Sequence, residues 1–267
     1  GLYLAKDYVW DAAETLHNDA LNLQNQDLLK ESAAMFDSAI TLKNQVAAKE
    51  PGDGIYETIG SSLWGKAWSI RYLNQYDEAI KIYELAVQYY DSSSRNSAKV
   101  SKRTVLDNIG EIYEKKGEYN KAIEHYHNMM PLIKELEDFA EEGEAYNDIG
   151  YCYFQLGEYQ KAIEWYQKGY DTHTKRGSTK DAGLSTSNIA QAYWNLGKYD
   201  EAIKTHMDAI KLRESVNDYS GLGYSWSKLG ALYKDSGDPA KAIESFEKAV
   251  GYYEKVNDES GLADTYK

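Results

Sequence analysis

An all-α solenoid of antiparallel helix pairs is the fold this sequence predicts, and three observations carry the prediction. The phrase Gly-x-Tyr-x-x-Ala-Ile recurs at Gly117, Gly157 and Gly197, with a variant at Gly237-Asp238-Pro239, each copy 40 residues after the last. Self-similarity at such a period marks a stacked repeat array. Upstream of each glycine, pairs such as Ile109 with Tyr113 and Leu229 with Tyr233 stand four apart and share one helix face. Only three prolines occur in 267 residues, so the helical pattern has few breaks.

The elements follow in chain order. The first pair, 7–48, is the most degenerate: only Asp27 through Phe36, Ala39 and Ile40 keep the register. The turn-rich stretch Lys49–Gly54 separates it from the second pair, 55–92. There Asn74 stands in the glycine place, asparagine being the usual second choice for a left-handed residue, and Ala79, Ile80 and Tyr83 restart the apolar stripe. A polar connection, Ser92–Ser97, leads to the third pair, 99–137. Its helix A carries Gly110, where the missing side chain lets a neighbouring helix approach, and ends at Gly117, which fits the left-handed position. Helix B then runs through Ala122, Ile123 and Tyr126, and Met129-Met130-Pro131 predicts a kink or an early end. The pairs 141–176, 180–216 and 220–256 repeat this design, with Gly150, Ala190 and Gly230 at the close-approach place. His206 takes the place of Tyr126, Tyr166 and Phe246 and is expected in the core with a ring nitrogen hydrogen-bonded. Ser260-Gly261-Leu262 repeats Ser220-Gly221-Leu222, and Tyr266 falls where Trp226 stood, so a seventh helix A is expected to begin at 260–267. One array over 1–267 is expected, and its uncapped last helix together with a first residue other than Met reads as a segment of a longer protein.

Trp226, Leu229-Gly230, Tyr233, Gly237, Ala242, Phe246 and Ala249, in that order, resemble the tetratricopeptide repeat, and the resemblance covers nearly the whole chain. Two departures matter. The closing proline of the 34-residue unit is missing, and each unit is longer by about six residues, which is similar to the extended variety in kinesin light chains and many bacterial signalling proteins. The resemblance implies a right-handed superhelical α-solenoid, a non-enzymatic scaffold or adaptor, no cofactor, and a peptide or protein segment held in the concave groove.

Composition narrows the function classes. A net charge of −13 argues against nucleic acid, whose phosphates require clustered Lys and Arg, and favours a basic protein partner. No run approaches the roughly 18 apolar residues a membrane span needs, so no membrane insertion is expected. The lone Cys152 reads as a small buried hydrophobe and is compatible with a cytoplasmic setting. His125 and His127 point apart on a helix, and no glycine-rich phosphate loop, nucleophile elbow or paired catalytic carboxylates occur. Neither catalytic nor metal-binding residues are therefore expected.

Stacking puts the A helices on the concave side. From the register, the residues facing a ligand are Trp64, Trp68, Arg71, Asn108, Asn147, Asp148, Tyr151, Asn188, Gln191, Asn195, Tyr224 and Lys228. By resemblance, Asn108 and Asn188 occupy the place at which kinesin light chains and related adaptors use asparagine to hold a peptide; an amide can both donate to and accept from an extended backbone. Asp148 and Lys228 stand at the equivalent places of their units and break that ladder. The second reading is a regulatory or sensory module of a multidomain signalling protein whose effector lies outside these residues. The exposed last helix also allows self-association.

Overall fold

Apolar stripes of helical period, punctuated by residues that accept a left-handed backbone, give this chain its architecture. The computed structural model describes the backbone of residues 2–265 and side chains from Asp7 onward, so Tyr266 lies outside the described residues. Among those residues there are thirteen α-helices and no strand. They fall into two compact units, Gly1–Leu136 and Glu137–Lys267.

The first unit holds α1 (Leu2–Asn25), α2 (Leu29–Ala47), α3 (Asp53–Tyr72), α4 (Tyr76–Asp91), α5 (Asn96–Lys115) and α6 (Tyr119–Glu135). The second holds α7 (Phe139–Gln155), α8 (Tyr159–Arg176), α9 (Thr179–Asn195), α10 (Tyr199–Ser215), α11 (Tyr219–Asp235), α12 (Pro239–Lys255) and α13 (Glu259–Thr265). Within each unit consecutive helices pack on one another as antiparallel pairs. In addition α1 touches α3, α3 touches α5, α9 touches α11 and α11 touches α13. Within each unit these odd-numbered helices, the A helices of the repeat, are therefore neighbours along one side.

The turns explain the periodicity. Helix A ends with a positive φ at Asp27, Asn74, Gly117, Gly157, Gly197 and Gly237, between 60° and 85°. At Gly117 the next amide, Glu118 N, reaches back to Tyr113 O at 2.8 Å, the bond that closes a Schellman turn. The opposite turns use the same device at Gly177, Asn217 and Asn257, again 40 apart. Asp218, Asp238 and Asp258 then cap the following helices by accepting from Gly221 N, Lys241 N and Gly261 N at 3.2, 3.2 and 2.9 Å.

Close approach is equally concrete. A Cβ on Gly110 would lie 2.6 Å from the Tyr126 ring, one on Gly150 2.7 Å from Tyr166, and one on Gly230 2.8 Å from Phe246. A second glycine ladder, not anticipated from the sequence, lies about two turns earlier on each A helix: Gly143 faces His173, Gly183 faces Arg213 and Gly223 faces Tyr253. Its 40-residue recurrence is the signal that could have found it.

Three expectations need correction. The Lys49–Gly54 stretch is shorter than expected, since α3 already begins at Asp53. Helix α6 does not stop at Pro131 but runs to Glu135. Met129, Met130 and Ile133 anchor its buried side, and Pro131 lies on the exposed side, where a helix tolerates the lost backbone hydrogen bond most easily. His206 is buried as expected, at 1% exposure, yet neither ring nitrogen has a hydrogen-bond partner. Burial, reinforced by the charges of Arg213 and Lys228, pushes its pKa down to about 3, so the imidazole stays neutral and packs as a flat ring.

Candidate protein-binding face

On α3, Trp64, Trp68 and Tyr72 follow at intervals of four and form one stripe about 12 Å long. Trp68 and Tyr72 pack with ring centroids 4.1 Å apart, and Tyr72 is 52% exposed. Beside the stripe, Arg71 reaches across to α5, donating to Asn108 Oδ1 at 2.9 Å and to the Glu111 carboxylate. Asn108 Oδ1 also accepts from Tyr83 Oη at 3.3 Å, while its Nδ2 donates to Thr104 O at 2.6 Å. Burial works to lower the Arg71 pKa, but the charge and hydrogen bond of Glu111 outweigh it, so the guanidinium is held charged. The Tyr83 hydroxyl is driven up by burial against the pull of Arg71 and stays protonated.

A cleft of about 360 Å³ opens next to Trp64, lined by His17 and Leu21 of α1, Ser61 of α3, and Val100 and Thr104 of α5. It therefore spans three successive A helices. Burial, then the charge of Lys43, lowers the His17 pKa, and its Nδ1 bonds Ser62 Oγ at 2.9 Å. Of the sequence-derived candidates, the structure brings Trp64, Trp68, Arg71 and Asn108 together here. Tyr72, Leu21 and Val100 belong with them and escaped the sequence reading, although Tyr72 continues the four-residue spacing of the two tryptophans.

In the second unit, Asp148 and Tyr151 lie on α7, Asn188, Gln191 and Asn195 on α9, and Tyr224 and Lys228 on α11. Tyr151 and Tyr224 are exposed. Lys228 Nζ stands 5.4 Å above the Tyr224 ring, a cation–π geometry. Asn195 donates to Gln191 O of its own helix at 2.8 Å. Asn188 and Gln191 are half-buried, and their side-chain amides make no hydrogen bond within the chain.

Asn147 is placed otherwise than expected. It is 6% exposed and turned into the helix packing, accepting from Ser185 Oγ at 3.0 Å and meeting His173 Nε2 at 3.3 Å. Gly169 opposite leaves the space, since a Cβ there would lie 2.6 Å from Asn147 Oδ1. Its amide is spent on structure.

Among the described residues no group of three or more His, Cys, Asp or Glu is placed to hold a metal ion, and no helix is long and apolar enough to cross a membrane. Family models described as tetratricopeptide repeat match residues 61–93, 101–175 and 181–255, more than half of the chain. The chain belongs to the tetratricopeptide repeat family. No curated protein sequence matches it. Among solved structures, BtubC (BKLC) from P. vanneervenii superposes with a TM-score of 0.69 at 18% identity, covering 86% of this chain and 92% of that one. A Podosopora anserina protein assigned as a kinesin light chain, with nearly identical TPR-like repeats, gives 0.59 at 17% identity over 74% and 97%. Rap protein complexed with competence and sporulation factor gives 0.61 at 12% identity over 96% and 80%. At these identities the likeness is one of fold, and the fold is that of extended tetratricopeptide repeats as found in kinesin-light-chain-like proteins.

Proposed function

We propose that this tetratricopeptide repeat chain is a non-enzymatic scaffold that holds a segment of a protein partner against its A helices. The observation that carries this reading is the stripe of Trp64, Trp68 and Tyr72, half-buried at the two tryptophans and exposed at Tyr72, beside a cleft that spans α1, α3 and α5. Large aromatics held rigid by neighbours are the side chains from which binding hot spots are made. The Rap structure, of the same fold and bound to a factor, supports the reading without supplying the ligand. The net charge of −13 favours a partner with a basic surface, and the one cysteine, Cys152, buried, fits a cytoplasmic setting.

The test is affinity capture from a native lysate by the wild-type chain and by the variant Trp68→Ala/Tyr72→Ala, with far-UV circular dichroism of both. Loss of the captured protein at unchanged helix content is the expected result. Equal capture by the two proteins refutes the reading.

A further inference from the structure

Resting on that reading, we infer that the segment seated over α3 is an amphipathic α-helix rather than an extended chain. An extended peptide exposes an N–H and a C=O at every residue, and those it buries need partners in the groove. In the first unit most of the polar groups that could serve are already engaged, and Trp64 Nε1 and Arg71 Nε, which lack a partner, are buried out of a ligand's reach. Ser61 Oγ donates to Glu57 O at 3.0 Å and meets Tyr90 Oη at 3.3 Å. Thr104 Oγ1 donates to Val100 O at 3.3 Å, and Asn108 is engaged at both ends of its amide. Gln24 Nε2 is shared between Gly65 O and Ser69 Oγ, both at 2.8 Å, and Arg71 is committed to Glu111. These bonds run to the chain itself, so a ligand backbone would have to break them.

What the face does offer is apolar area. Tyr72 and Val100 are exposed, Leu21, Trp64 and Trp68 are half-buried, and the cleft of about 360 Å³ will take a large side chain. A helix satisfies its own backbone and presents one apolar stripe, so it uses what is here and requires nothing that is missing. The geometry agrees. Trp64, Trp68 and Tyr72 rise about 6 Å per step along α3, close to the 5.4 Å pitch of a second helix laid alongside, which lets its side chains enter the gaps between rings. The second unit supplies the contrast, since the unengaged amides of Asn188 and Gln191 are the groups an extended backbone would use. The ligand chemistry is therefore specific: large apolar residues at i, i+3 or i+4, and i+7 on an otherwise polar helix.

Random linear 16-residue peptides displayed on phage, panned on the wild-type chain and counter-selected on Trp68→Ala, provide the probe. The strongest Trp68-dependent binder is then made with isotope labels, and its carbon shifts are read in the complex. Helical shifts over two or more turns are expected, with a loss of about 100-fold in affinity when a central exposed-face residue becomes proline. Extended shifts, or a proline change that leaves affinity within about threefold, overturn the helical assignment while the groove stands. Failure to obtain any Trp68-dependent binder overturns the proposed binding face itself, and the inference with it. Matching circular dichroism and urea midpoints for wild type and Trp68→Ala establish that the counter-selection acts on a folded chain.

Discussion

Acidification should weaken this chain through His206, and the size of the effect follows from its burial. The ring is 1% exposed on α10 with both nitrogens unpartnered, and its pKa falls from 6.5 to about 3 on folding. In that window the unfolded chain binds a proton that the folded chain refuses, so stability rises with pH. The His206 contribution is complete well above pH 6.5 and is lost as pH falls toward 3. Integrating from pH 7 to pH 5, the loss is about 2 kcal/mol, with a limiting slope of about 1.4 kcal/mol per pH unit. The comparison protein is His206→Phe with Ala190→Gly, which copies the Gly230–Phe246 contact of α11 and α12 and has no titrating ring. Urea unfolding of both proteins at pH 7 and pH 5 measures the difference. His17, His125 and His173, also lowered by burial, act in the same direction, and Glu144, raised by burial, acts in the opposite one. Those contributions are common to both proteins and cancel in the comparison. The wild type should lose about 2 kcal/mol more than the variant between the two pH values. Equal losses within about 0.5 kcal/mol would show that His206 is not held neutral.

Gly150→Ala places a Cβ 2.7 Å from the Tyr166 ring and should cost about 1–3 kcal/mol in urea unfolding. Adding Tyr166→His, the pairing of α9 and α10, should recover part of that loss. Gly197→Ala, at a φ of 71°, should cost about 1–2 kcal/mol, and Gly197→Asn less, as Asn74 holds the same place at a φ of 61°. Asn108→Ala removes the acceptor shared by Arg71 and Tyr83 and should destabilise by about 1–3 kcal/mol, whereas Asn188→Ala should leave the urea midpoint unchanged.

The helix pairs were legible because their causes are local and repeat: a left-handed residue at each turn, an apolar stripe at each helix, and a small residue where a ring presses in. Trp64, Trp68, Arg71 and Asn108 were legible as neighbours for the same reason, since the register fixes which helix face each occupies. What the register could not show is how each amide is engaged. Asn108 and Asn188 stand at equivalent places, yet Arg71 and Tyr83 occupy the first and nothing in the chain occupies the second. That difference depends on residues 37 and 25 positions away in sequence. Asn147 was misplaced by a rotation of one position, which only the gap left by Gly169 makes visible. The burial of the His206 ring was foreseen, but the hydrogen bond expected of it is absent, because a partner for either nitrogen depends on packing that the register does not fix.

A repeat protein carries its own controls, and this chain uses them unevenly. The periodic residues repeat one packing solution, so their identity is accounted for by the fold alone. Arg71 differs from its equivalents: Glu114, Phe154 and Trp194 lack its positive charge, and Trp194 reaches the next A helix through a single hydrogen bond to Asp235. Fixing a buried guanidinium between Asn108 and Glu111 ties α3 to α5 by hydrogen bonds as well as apolar contact, and it holds the helix that carries Trp68 and Tyr72. A rigid base reduces the ordering cost of binding on aromatic side chains. On the proposed function, the Arg71–Glu111 ion pair and the aromatic stripe are parts of one device, in which charge spent inside the scaffold steadies an apolar surface.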